Sequence, residues 1–147
     1  MPFEVWLGKE KLEQSVFHYS ARVYYEDTDA GGVVYHARYL HFLERARTEY
    51  LRTFNFSQQV LLAENKSAFV VKSMNVDYRM PAKLDDLLHI ETSITEIKGA
   101  SLIFSQAIKR DELTLCQATV KVAYVDLGKM KPVAIPQVIK TMLTHQI

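Results

Sequence analysis

Cysteine is almost absent from this chain. Cys116 is the only one in 147 residues, so no intrachain disulfide can form, and a reducing compartment suits the protein. Long apolar runs are missing as well. No stretch approaches the roughly 20 residues of a membrane-spanning helix. The opening "MPFEVWLGKEKLEQ" places charges where a secretory signal would hold its apolar core. Net charge is close to nothing: 18 Lys and Arg face 17 Asp and Glu, which leaves no broad basic face and argues against nucleic acid as a partner. Glycine and proline, at five and four, are too sparse and scattered to mark a linker or a low-complexity segment. One cytoplasmic domain spanning residues 1–147 is the expectation, with 1–15 as a loosely held arm.

What is there is a change of period. In "VFHYSARVYY", Phe17, Tyr19, Ala21, Val23 and Tyr25 alternate as in a strand with one buried side. From Arg38 the spacing turns helical: Tyr39, Leu43, Ala46, Tyr50 and Phe54 recur over about four turns. A short second helix is expected over "NFSQQVLLAENK", with Ser57 as its N-cap. Four strands follow. The first is "AFVVKSMNVDY", with Val70, Met74, Val76 and Tyr78 on one face and Pro81 closing it. "LLHIETSITEI", "SLIFSQAIKR" and "LTLCQATVKVAYVD" then form an antiparallel meander through tight turns. Residues 137–145 read as a terminal helix. One long helix must bury its apolar stripe, so the order predicts an α+β fold with a five-stranded antiparallel sheet curled around a central helix.

Between the first strand and the long helix lies "EDTDAGGVVYHARY", three carboxylates, a glycine pair and a histidine. A calcium loop is excluded, because Arg38 stands where the bidentate glutamate belongs. No Gly-Lys-Ser/Thr or GxGxxG follows the glycines, so a phosphate cradle fails. His36 and His41 are five apart, on different helical faces, and no pair has zinc spacing. Cys116 lies inside an apolar strand and reads as core. Asp29 and His36 remain. Asp29 alone reads as readily as a turn former, and Glu26 and Asp27 likewise. The functional reading needs three parts together. Glycines let backbone approach a substrate. A helix start offers free N–H groups and a positive dipole to an oxygen gaining charge. A carboxylate just upstream can attack a carbonyl carbon or activate water. Glu44, on a helix expected to be mostly buried, is kept as an outside catalytic candidate.

"YYEDTDAGGVVYHARYLHFLERARTEYL" resembles the signature of hot-dog-fold acyl-coenzyme A thioesterases of the 4-hydroxybenzoyl-CoA type. Among them it is most similar to the thioesterase associated with the bacterial Tol–Pal envelope system. The resemblance extends over roughly residues 17 to 140. It implies a hot-dog fold and an acyl-CoA thioester hydrolase without metal or redox cofactor. It implies a homodimer joined through its sheet edges, or a dimer of dimers, with active sites at the subunit interface. It further implies a cytoplasmic protein, at the inner face of the inner membrane, in peripheral association with envelope or acyl-carrier proteins. Carried over by position, Asp29 is the catalytic carboxylate, and His36 gives its backbone N–H to the thioester carbonyl and a supportive side chain. Gly32, Tyr35 and Lys98 are the substrate-binding candidates; Lys98 is all that "IKGAS" retains of the basic cluster that meets CoA phosphates in the 4-hydroxybenzoyl enzymes. Crowding of the helix start by Val34, Tyr35, Tyr39 and Phe42 points to short aliphatic acyl groups. Two other readings stay open: an acyl-CoA or acyl-carrier binding scaffold, and a hot-dog dehydratase of 3-hydroxyacyl thioesters.

Overall fold

A computed structural model describes residues 2–7, 10–54, 63 and 66–144, and of residues 2–15 the backbone alone. The expected helix over "NFSQQVLLAENK", with Ser57, falls outside the described residues. The chain runs through β1 (Pro2–Leu7), β2 (Glu10–Ser15), β3 (Phe17–Arg22), a 3₁₀ turn at Tyr25–Asp27 and α1 (His36–Arg52). It continues with β4 (Ser67–Tyr78), β5 (Leu87–Lys98), β6 (Ser101–Arg110), β7 (Leu113–Asp126), β8 (Lys131–Pro132) and α2 (Gln137–Thr144).

Five of the eight strands described stand in the order β3-β5-β6-β7-β4, every neighbouring pair antiparallel. This is the α+β architecture that the change of period predicted. The arm expected at residues 1–15 is instead a β1–β2 hairpin. β3 covers β5 only as far as Thr92, and β1 takes the stretch beyond by pairing Trp6 and Leu7 in parallel with Glu96 and Ile97. An open strand edge exposes unpaired backbone groups, which is reason enough for the hairpin to dock there.

α1 forms because Tyr39, Phe42, Leu43, Ala46, Tyr50 and Leu51 recur three and four residues apart and are all buried. They meet the inward residues of the sheet, Leu88, Ile90 and Ile94 on β5 and Leu102, Phe104 and Ile108 on β6. Phe17 of β3 stacks on Tyr50 at 5.2 Å. Each fully buried Leu, Ile or Phe contributes about 1.5–3 kcal/mol relative to exposure. α2 seals one end with Ile139 and Leu143. No helix among the described residues is long and apolar enough to cross a membrane.

Two details set up the site. The pairing of β4 with β7 slips between Val71 and Ser73, so Lys72 is the extra residue of a bulge and the pleat changes parity there. Val71 and Phe69 consequently share the helix-facing side with Met74, Val76 and Tyr78, and Val70 turns to the other face, against the expectation. The second detail is a polar group inside the core. Arg47 Nη1 donates to Gln106 Oε1 at 3.0 Å, and Gln106 Nε2 donates to the Leu43 carbonyl and to Thr92 Oγ1, each at 3.0 Å. Arg47, Thr92 and Gln106 are all buried. Burial pulls the Arg47 guanidinium below its ordinary pKa, and the charge of Glu44 opposes that shift.

Candidate active site

The acidic loop is a tight hairpin that leads directly into the helix. Thr28 bridges to Val34, the Asp29 N–H donates to the Val33 carbonyl at 2.9 Å, and the Gly32 N–H donates back to the Asp29 carbonyl at 3.1 Å. This leaves Ala30, Gly31 and Gly32 as a three-residue connection whose last member takes a left-handed conformation, φ +78°. The glycine pair therefore has two separate causes. Gly32 is required by its backbone angle and not by space, since an added Cβ would meet nothing within 4 Å. Gly31 is favoured by space: a Cβ there would sit 3.3 Å from Asp29 Oδ1, and that side chain would have to give by a few tenths of an ångström. That same oxygen accepts the Gly31 N–H at 2.8 Å.

The three carboxylates divide by role. Asp27 is buried and structural: Oδ2 accepts the Tyr24 N–H at 2.9 Å, closing the 3₁₀ turn, and Oδ1 lies 3.7 Å from Arg38 Nε. Glu26 is exposed beside Arg38, 3.8 Å away. Asp29 is exposed at the hairpin tip, held by the one bond from Gly31.

α1 begins at His36 after Tyr35, whose extended backbone (φ −63°, ψ 133°) ends the loop, and no side chain caps the helix. An uncapped helix start keeps donors and a positive dipole end available. It opens on an apolar cleft of about 260 Å³ between Val34, His36, Tyr39, Tyr78, Met80 and Pro81. Tyr78 Oη donates to the His36 carbonyl at 3.1 Å, and its ring stands edge-on to those of His36 and Tyr39. Tyr39 Oη accepts the Ala82 N–H at 2.8 Å. Burial raises both phenols above their ordinary pKa, with Ala82 partly offsetting it for Tyr39. Tyr78 therefore stays a donor. Its strand end is anchored where the Leu115 carbonyl accepts the N–H groups of Arg79 and Met80, at 2.8 and 3.1 Å. Behind the cleft, hydrogen bonds from Arg110 and the Lys83 N–H outweigh the effect of burial on Asp86 and hold its carboxyl below the usual range.

The residues singled out in the sequence fare differently. His36 and Tyr39 line the cleft, and Tyr35 packs its half-exposed ring 4.6 Å from that of His36. Asp29 and Gly32 stand in the adjoining hairpin and not in the cleft wall. Lys98 is not brought to the cleft. It ends β5 at the turn into β6, whereas the site adjoins the Leu87 end, roughly 35 Å away along the strand. Phe42, expected to crowd the helix start, is 1% exposed and belongs to the core. Glu44 is exposed and lines a second cavity farther along α1. Burial pushes the Cys116 thiol up to about 11, which agrees with a core filler and leaves no thiolate nucleophile. Tyr78 and Met80 were not predicted as site residues. Their signal was an aromatic residue at a strand end just before Pro81, visible only once that end is known to meet the helix start.

Comparison with known proteins identifies the family. The family model of the Thioesterase-like superfamily matches residues 23–143. The acyl-CoA thioesterase YbgC of Haemophilus influenzae is 64% identical over 129 residues, 88% of this chain and 95% of that protein. The acyl-CoA thioester hydrolase YbgC of Escherichia coli is 56% identical over 127 residues, 86% of this chain and 94% of its own. The crystal structure of a 1,4-dihydroxy-2-naphthoyl-CoA thioesterase from Synechocystis superposes with a TM-score of 0.81 at 25% identity, covering 88% of this chain and 96% of that one. With a family model over most of its length and such near relatives, the chain belongs to the thioesterase-like superfamily, in its YbgC acyl-CoA thioesterase group.

Proposed function

We propose that this protein hydrolyses acyl-CoA thioesters to the free acid and coenzyme A, with Asp29 and the start of α1 as its reaction centre. The observation that carries the reading is the uncapped helix N-terminus at His36, open to an apolar cleft and preceded by the hairpin that presents Asp29. The thioester carbonyl binds with its oxygen at the His36 N–H, where the negative charge that develops meets a donor and the positive end of the helix dipole. Asp29 takes a proton from water, the hydroxide adds to the carbonyl carbon, and the C–S bond breaks. The thiolate of coenzyme A then recovers the proton from Asp29. In the alternative course, Asp29 itself adds to the carbonyl carbon, coenzyme A departs, and water resolves the mixed anhydride. The His36 ring, packed between Tyr35 and Tyr78, supports the site.

Short aliphatic acyl groups fit the cleft best, since Val34, Tyr39 and Tyr78 confine it. A panel of acyl-CoAs from two to sixteen carbons, followed by release of free thiol, tests both statements. Propionyl- and butyryl-CoA are expected to turn over faster than palmitoyl-CoA. No thiol release from any of them would leave a binding scaffold, and an enoyl product without thiol would mean a dehydratase.

Assembly follows from the sheet. Among the described residues β4 forms a ladder with β7 alone and stands last in the strand order, with Val70 and Val71 exposed on it. Two β4 edges related by a two-fold axis can satisfy each other, which brings a partner against the open side of the cleft. Light scattering is expected to give two or four times the 16.9 kDa chain mass. A fully active monomer at micromolar concentration would overturn the interface site. The same reading sets the protein in the cytoplasm, where acyl-CoA is made, with envelope or acyl-carrier proteins as peripheral partners.

A further inference from the structure

The second cavity, about 130 Å³, is lined from α1 by Glu44, Arg47 and Thr48 and from the sheet by Phe69, Val71 and Phe104. It lies in line with the cleft. On α1, His36, Leu40, Glu44 and Thr48 recur every four residues and form one stripe. On β4, the bulge at Lys72 puts Tyr78, Val76, Met74, Val71 and Phe69 on one face. His36 and Tyr78 line the cleft, and Glu44, Val71 and Phe69 line the far cavity. What stands between them is Leu40 on the helix and Val76 and Met74 on the strand, all three partly buried against the core.

Resting on the thioesterase reading above, we propose that Leu40, Met74 and Val76 are the floor of the acyl cleft and set the chain length the protein accepts. At 1.5 Å per residue, Leu40 stands about 6 Å and Glu44 about 12 Å beyond His36 along the helix. An extended chain advances about 1.2 Å per bond, so four to six carbons end against Leu40, while ten carbons need the far cavity. The polar far wall, with Arg47 and Glu44, closes the groove there and disfavours chains that would run on through it. Lowering the floor joins the two cavities into one groove.

The test uses the full chain with Met74→Ala and, independently, Leu40→Val, measuring kcat/KM for butyryl- and decanoyl-CoA and the affinity for decanoyl-CoA by calorimetry. The decanoyl-to-butyryl ratio is expected to rise at least tenfold in each folded variant, because each methylene accommodated in an apolar pocket is worth roughly 10-fold or more. Adding Val71→Phe, which fills the far cavity, is expected to cancel the gain. Ratio and decanoyl-CoA affinity both within twofold of the unsubstituted protein, in a folded variant, would overturn the proposal. If no variant releases thiol but decanoyl-CoA binds tenfold tighter to Met74→Ala, the groove stands and the hydrolytic reading falls.

Discussion

Asp29→Asn is expected to lower thioester turnover by a factor on the order of 10² or more, the scale of losing a general base. The substitution keeps the size of the side chain, and the amide oxygen can still accept the Gly31 N–H that Oδ1 now accepts at 2.8 Å. The hairpin should therefore hold, and asparagine is itself at home in such turns. Affinity for acyl-CoA should survive, because the lost charge acts mainly in the transition state. This separates the two roles that one residue can have here, since a purely structural Asp29 would leave turnover near its original value. In that case Glu44 is the next carboxylate to test. His36→Ala is expected to cost less, as the backbone N–H at the helix start remains. A single turnover in ¹⁸O-labelled water distinguishes the two chemical courses. A general base puts solvent label in the product acid. A nucleophilic Asp29 whose anhydride is resolved at its own carbonyl leaves the product unlabelled.

Gln106→Leu is expected to be the most destabilising conservative-volume change in the core, by about 3–5 kcal/mol, because it strands a buried charge and removes the bonds that Gln106 gives to Thr92 and to the Leu43 carbonyl. The Gln106 side chain alone accepts from Arg47 and donates to the Leu43 carbonyl and Thr92. Leucine fills the space but leaves Arg47 without that acceptor, and among the described residues Arg47 forms no ion pair that could replace it. At roughly 2–4 °C per kcal/mol for a chain of this size, the melting temperature should drop by about 6–20 °C in a thermal scan. The double change Arg47→Met with Gln106→Leu removes charge and acceptor together and should recover part of the loss. A Gln106→Leu protein that melts within 2 °C of the original would show that water reaches Arg47 and that the network adds little.

Much of this architecture is legible in short windows of the chain, and the parts that are not share a cause. Local pattern dictates the order of strand, helix and meander, because periods of two and of three to four residues belong to Phe17–Val23 and Tyr39–Phe54 themselves. Tyr25, expected on the strand's buried face, instead stands exposed in the 3₁₀ turn because the strand ends at Arg22. It also brings Asp29 and His36 forward as candidates, because a turn carboxylate, a glycine pair and a helix start lie within eight consecutive residues. The rest was left to contacts between distant segments. The arm at residues 1–15 became a hairpin because β3 leaves the edge of β5 open past Thr92. Val70 turned away and Val71 turned inward because a bulge at Lys72 reversed the pleat, and a one-residue slip exchanges the faces of everything beyond it. Lys98 fell at the far end of β5, and Tyr78 came to bond the His36 carbonyl across 42 residues of chain. Each of these outcomes depends on which strand lies beside which and in what register. Registers are set by pairing between distant segments, so no window of local sequence contains them.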